Sequence, residues 1–303
     1  MFERTYGGGD AVAPPRAAGP RGRETYDVRF AGGRHFRMYD DPGTFRVSRA
    51  GIALGNHLVR GLDGSESTVR ILEIGTGSGA IAMLLRAMGF TSVVATDVCP
   101  AAVSTARRNE RVNFGDSVID FHQSDLFPRP ASAPPELYDL IVFNPPGWRT
   151  PSDALRAQLE SRQPSLNLEA MFYGDSVLLR FLRQLPDHLA PHGRAIVGLN
   201  SLLGIASIFA ASQPPDRPPG AGLALRSQLL ERLEFPLLFY TEEWLEAREL
   251  LFAEFRQGRR DYAATYVTKG ETIHWFYEIT EVTVDALGTD RPPLQPLQPS
   301  RPV

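Results

Sequence analysis

Hydrophobic and polar positions along this chain fall into two alternating periods. Short runs of mostly apolar, branched residues at 69–74, 92–96, 118–122, 138–143 and 194–199 read as strands. Between them, stretches with apolar residues every three or four positions read as helices at 80–88, 100–111 and 175–189. The strand runs leave little room for a wet face, which fits parallel strands covered on both sides. This alternation predicts an α/β fold: a doubly wound, mostly parallel sheet with right-handed crossovers.

Ahead of that core, 26–30 alternates like a strand, Gly32-Gly33 turns, and 34–39 alternates again, which predicts a hairpin. An amphipathic helix over about 50–62 follows. Behind the core, Gln213-Pro214-Pro215 opens a proline-rich loop within 212–222, which ends any helix. A helix at 223–233, an apolar run at 235–240, a helix at 242–255 and a strand at 272–279 complete the pattern. In the 242–255 helix, Trp244, Leu245, Leu251, Phe252 and Phe255 form a stripe that reads as core or dimer surface. The Gly/Pro/Arg-rich 1–24 and the Pro/Gln-rich 287–303 are expected to be disordered. The division is therefore an extension at 25–64 on the substrate side and a main domain at 65–286.

Composition adds exclusions. Of 303 residues, 43% are hydrophobic and 22% charged, as in ordinary globular proteins, and the net charge of −3 does not favour a nucleic-acid partner. Cys99 is the single cysteine, so there is no internal disulfide or cysteine-rich metal site; it reads as a small pocket-lining residue. The six histidines (35, 57, 122, 188, 192, 274) lack metal-ligand spacing, and no metal is expected. The first residues lead into Gly and Pro rather than an apolar core, and the most apolar helix candidate, 202–211, is too short to cross a bilayer, so a cytoplasmic location is expected. The oligomeric state is open, a homodimer included.

The chemistry concentrates at Glu73-Ile74-Gly75-Thr76-Gly77-Ser78-Gly79, where the first core strand ends. Glycines allow a sharp turn and close approach of a ligand, and the following helix presents free N–H groups. Gly75, Gly77 and Ala80 also satisfy the dinucleotide pattern G-x-G-x-x-G/A, so a nicotinamide enzyme is a competing reading. Asp97, ending the next strand, suits ribose hydroxyls under either. Glu73, inside the strand, suits a donor with a cationic amino-acid portion. The second motif, Asn144-Pro145-Pro146-Gly147-Trp148, closes the fourth core strand.

With both motifs, the chain resembles class I S-adenosylmethionine-dependent methyltransferases. It is closest to the glutamine N5-methyltransferases of release factors and to other enzymes with an Asn-Pro-Pro-aromatic motif, over about 42–200. The resemblance implies a seven-stranded Rossmann-like sheet closed by an antiparallel hairpin. It implies S-adenosylmethionine held by Glu73, Gly75, Thr76, Gly77, Gly79, Asp97, Val98, Asn144, and by Asp125 and Leu126 at the adenine. It also implies acceptor chemistry at Asn144 and Pro145: the Asn144 side-chain oxygen and the Pro145 carbonyl take the two N–H hydrogens of a planar nitrogen. Phe45 in Pro42-Gly43-Thr44-Phe45, Pro146, Trp148 and Tyr173 are the substrate candidates.

A lid at 149–175 follows, in which Arg149, Arg162, Glu169 and Asp175 reach the substrate or stay solvated. The motif departs from the family at Gly147, with the aromatic displaced to Trp148, which opens the pocket to a bulkier or non-planar amine. The expected function is methylation of an amine, amide or guanidine nitrogen on a small molecule or peptide, with metabolite tailoring favoured. Nucleobase methylation, release-factor-type glutamine methylation, a nicotinamide oxidoreductase and a catalytically dead binding partner are the alternatives.

Overall fold

The computed structural model describes residues 25–41, 44–63, 69–128, 135–162, 168–212, 223–237, 265–270 and 272–286. The expectations for 1–24, Pro42-Gly43, the proline-rich loop, the 242–255 helix and the tail lie outside these, as do the side chains of Arg162 and Glu169.

The N-terminal hairpin forms as read, with β1 (Thr25–Arg29) antiparallel to β2 (His35–Tyr39). Its alternate residues Val28, Phe36 and Met38 are buried on the main domain. The helix α1 (Arg49–Gly61) starts at Ser48, whose hydroxyl accepts from Gly51 N at 3.0 Å, an N-cap that satisfies one of the helix's free donors. Its Gly55 lies so close to Phe30 that an added Cβ would stand 2.2 Å from the ring.

The core alternates strand and helix: β3 (Arg70–Ile74), α2 (Ala80–Ala87), β4 (Ser92–Asp97), α3 (Pro100–Phe114), β5 (Asp120–Gln123) and β6 (Tyr138–Phe143). Then come α4 (Asp153–Arg162), α5 (Leu168–Met171), α6 (Gly174–Gln184), β7 (Leu189–Asn200) and α7 (Ile205–Ser212). Pro100 starts α3 where its missing N–H costs nothing, and Gly115, at φ +81°, ends it. The expected helix at 175–189 stops earlier, in a 3-10 turn at Leu185–Asp187 that contains Pro186. The expected helix at 202–211 is broken at Gly204, φ +75°.

The sheet order is β5-β4-β3-β6-β7, all parallel, followed by three antiparallel strands. These are β8 (Leu223–Pro236), β9 (Tyr266–Lys269) and β10 (Thr272–Ala286), with β10 between β7 and β8 and also paired to β9. Among the described residues the sheet thus has eight strands, where seven were expected.

The expected helix at 223–233 is a strand, and this corrects the sequence reading. Leu225, Leu229, Leu230 and Leu233 fit a helical stripe, but the same run also alternates. Pairing with β10 along its whole length decides between the two. A bulge leaves Leu230 without an opposite residue, since Ile279 faces Glu231 and Thr280 faces Leu229. Beyond it, Leu233 and Phe235 join the core under α1 and α2, whereas Leu225 packs on the opposite face of the sheet.

Candidate active site

In the parallel pair β3–β6, Ile74 stands opposite Phe143, so Gly75 and Asn144 leave the sheet side by side at its carboxyl edge. The strand order reverses between β3 and β6, the place where open α/β sheets hold their ligands.

Gly75, Gly77 and Gly79 have φ of +68°, +54° and +85°, conformations that side-chain-bearing residues rarely adopt. At Gly77 an added Cβ would meet nothing within 4 Å, which leaves space above the loop for a ligand. At Gly79 it would stand 2.9 Å from the Ala106 methyl, so that glycine also lets α3 approach. Thr76 N donates to Thr96 O at 2.9 Å, and Gly79 N to Thr76 O at 2.8 Å. Buried Asn109 on α3 accepts from Tyr39 N and donates to Ser78 O, tying the hairpin to the loop.

Glu73 is buried, and its Oε2 accepts from the Thr76 hydroxyl at 2.6 Å and from Ala82 N, in the first turn of α2, at 2.9 Å. What it holds directly is therefore the loop and the helix start. Burial pushes its carboxyl up to about 8; the two hydrogen bonds pull it down, and Asp97 pushes it up. Asp97 accepts from Gly77 N at 2.8 Å through Oδ2 and from Cys99 N at 2.9 Å through Oδ1. A carboxylate has about four lone-pair sites, so it keeps capacity for hydroxyls. Val98 beside it is exposed.

Asp125 is exposed and paired with Arg180 of α6 at 2.5 Å. Leu126, at φ +67°, is buried, and its carbonyl accepts from the Thr96 hydroxyl at 2.7 Å. The glycine loop, Asp97 and the 124–127 turn all follow strands that end at one edge of the sheet, a cradle suited to an adenosine-bearing donor.

On the acceptor side, Asn144 is half-buried, and its Oδ1 accepts from the Tyr277 hydroxyl at 2.8 Å. Pro145 is buried and Pro146 half-buried. Trp148 N donates to Met171 O at 2.9 Å, and its carbonyl accepts from Gly174 N at 2.8 Å. The Trp148 indole is buried among Leu155, Leu159, Phe172, Leu202 and Leu237, so its body belongs to a small core shared by α4, the turn before α6 and the ends of β7 and β8. Asp175 ties the start of α6 to the residues just after the motif: Oδ1 accepts from Thr150 N and Oγ1, and Oδ2 faces Arg149 Nε at 3.4 Å. Tyr173, at φ +66°, heads α6, and Phe45 is exposed.

Two residues near the motif had no sequence signal. Tyr277 lies 133 positions from Asn144. Asn200, at the end of β7, accepts from Leu202 N through Oδ1 at 2.9 Å and turns Nδ2 toward Gly147, where an added Cβ would stand 2.9 Å from it. A side chain at 147 would collide with that amide. A surface cleft of about 570 Å³ lined by Ser104, Arg107, Arg111 and His122 includes no motif residue. Among the described residues, no helix is long and apolar enough to cross a membrane.

Residues 35–157 match the family model for the methyltransferase small domain. The chain is 33% identical over 137 residues to the ribosomal protein uL3 glutamine methyltransferase of Bradyrhizobium diazoefficiens, covering 45% of this chain and 42% of that relative. It is 29% identical over 204 residues to the release factor glutamine methyltransferase of Cereibacter sphaeroides, covering 65% of this chain and 68% of the relative. The chain thus spans less than half of the first relative's length. Among solved structures, it is similar to the T. thermophilus 16S rRNA N2 G1207 methyltransferase in complex with AdoMet and guanosine. The TM-score there is 0.47 at 16% identity, covering 84% of this chain and 50% of that one.

Proposed function

We propose, taking residues 35–157 as a class I S-adenosylmethionine-dependent methyltransferase domain akin to the glutamine N5-methyltransferases, that this protein methylates a carboxamide nitrogen on a peptide or protein. The observation that carries the reading is the side-by-side exit of Gly75 and Asn144 from β3 and β6. The donor supplies a methyl already activated on a sulfonium, so neither a covalent enzyme intermediate nor a metal is called for.

The remaining work falls to this chain's groups. The glycine loop and Asp97 hold the donor, with Asp125 and Leu126 at its adenine. The Asn144 oxygen and the Pro145 carbonyl accept the two N–H hydrogens and hold the nitrogen's lone pair out of conjugation, facing the donor. Pro146, without an N–H, stiffens the turn that aims the Pro145 carbonyl. As the nitrogen–methyl bond forms, the sulfur–methyl bond would break, S-adenosylhomocysteine would leave, and one of the two N–H protons would pass to solvent. Acceleration comes from positioning and from acceptors that suit the positive charge developing on nitrogen. A carboxamide also carries a carbonyl oxygen, and Asn200 Nδ2 beside Gly147 is a donor for it. Relatives named for glutamine in a ribosomal protein and in a release factor support the same acceptor class.

A second reading, an amine on a small metabolite, draws on Gly147, which leaves the motif without an aromatic side chain at that position. The two separate when labelled S-adenosylmethionine is incubated with the enzyme and, separately, with protein, small-metabolite and RNA fractions. Label on glutamine in the protein fraction is expected. Label confined to metabolites or RNA overturns the carboxamide reading.

A further inference from the structure

We infer that Tyr277, on a strand two places away in the sheet, is the positioning residue for Asn144: its hydroxyl holds the carboxamide oxygen so that one lone pair, in one direction, is left for an incoming N–H. The role of Asn144 as the acceptor-binding group rests on the function proposed above; the hydrogen bond does not.

The sheet order near the site is β6-β7-β10, so the Tyr277 ring must cross β7 to reach Asn144. It crosses at Gly198. Val197 pairs with Phe143 on β6, and Gly198 itself pairs with Ile279 on β10, which puts Gly198 between the two side chains. A Cβ at Gly198 would stand 1.8 Å from the Tyr277 hydroxyl oxygen and 2.5 Å from Cζ. Gly198 is not among the positive-φ glycines, so what this position needs from glycine is space.

The ring is 2% exposed and bounded by Phe235 and Trp275 at centroid distances of 6.4 and 6.1 Å. A phenylalanine would fill that space equally well. A buried hydroxyl without a partner costs about 1–3 kcal/mol, so the oxygen is tolerated because Asn144 takes its hydrogen. Burial pushes the phenol's pKa up, which keeps it a protonated donor.

The terminal torsion of asparagine is broad and nearly two-fold, so shape alone barely distinguishes its oxygen from its nitrogen. A fixed donor does distinguish them, because it selects the oxygen. Since a carbonyl oxygen has two lone pairs, the bond from Tyr277 leaves the second available.

The test uses the full chain with Tyr277→Phe, which removes one buried atom and keeps the ring. In ¹⁵N-labelled protein, the Asn144 side-chain amide signal, identified by its loss in Asn144→Asp, should shift toward free-asparagine values while the dispersed backbone spectrum is retained. Label transfer to the glutamine-bearing protein fraction should show kcat lowered tenfold or more. S-adenosylhomocysteine affinity should stay within twofold, and Tyr277→Phe should add nothing in an Asn144→Ala background. Gly198→Ala, by displacing the ring, should reproduce the spectral shift. An unmoved Asn144 amide signal in folded Tyr277→Phe, or an unchanged kcat, overturns the inference. If no fraction accepts label, the proposed function fails, and the amide signal still decides the positioning role.

Discussion

Gly174, the first residue of α6, is seated against the carbonyl of Pro146: a Cβ there would stand 2.0 Å from that oxygen and 2.9 Å from the Leu203 side chain. The contact holds the head of α6 against the motif turn. Gly174→Ala must push the two apart by more than an ångström. A misplacement of about 1 Å costs on the order of 10²-fold in rate. A kcat loss of that order is expected, with S-adenosylhomocysteine affinity unchanged by calorimetry. Equal loss of both would show that the head of α6 also shapes the donor side.

Asp97 and Asn144 should separate binding from turnover. Asp97→Ala removes the acceptor of two loop N–H groups, and hydrogen bonds to a charged group contribute about 1.5–3 kcal/mol each. Donor affinity should fall by ~10²-fold or more on that scale. Asn144→Ala should keep donor affinity and lose turnover. Calorimetry with S-adenosylhomocysteine alongside single-turnover label transfer makes the comparison, and equal loss of binding in both variants would contradict the roles assigned.

Glu73 gives the fold a pH dependence whose sign can be worked out. Its carboxyl is raised from an ordinary 4.5 to about 8 by burial. Between those values the folded chain holds a proton that the unfolded chain has released. The contribution to stability is therefore complete below about pH 4.5 and is lost as pH rises through about 8. The urea midpoint of the wild type should fall between pH 5 and pH 9, and Glu73→Gln should flatten that slope. A slope that persists in the variant would assign the effect to another group.

The Asp125–Arg180 pair, half in solvent, should matter little to folding, since exposed ion pairs contribute about 0–1 kcal/mol. Arg180→Ala should leave the melting temperature nearly unchanged. Asp125→Ala should weaken S-adenosylhomocysteine binding about tenfold, the order of one hydrogen bond at 1.4 kcal/mol. Binding that ignores Asp125→Ala would remove this residue from the adenine contacts.

The hairpin, the parallel core and both motif loops could be read from the sequence because their signals are local. Apolar runs ended by glycine, Pro100 at a helix start, and Asn-Pro-Pro at a strand end each act within a few residues. The 223–236 segment could not be read in this way. Its leucines satisfy two periods at once, and only the free edge of β10 selects the strand. Trp148 reads as a substrate-side aromatic from its place beside the motif, yet it is buried with Phe172 and Leu159.

The sequence by itself determined where the chain turns, which runs are buried and which residues stand at the ends of β3, β4 and β6. Those choices are made by propensity and periodicity over a single element. Only the tertiary structure decided that Tyr277 reaches Asn144, that Asn200 occupies the space Gly147 leaves, and that Gly174 seats α6 against Pro146. These contacts join residues 28 to 133 positions apart along the chain or bring two turns edge to edge. They depend on sheet order and strand register, which are set when whole faces are buried together and leave no mark in the local pattern of any one segment.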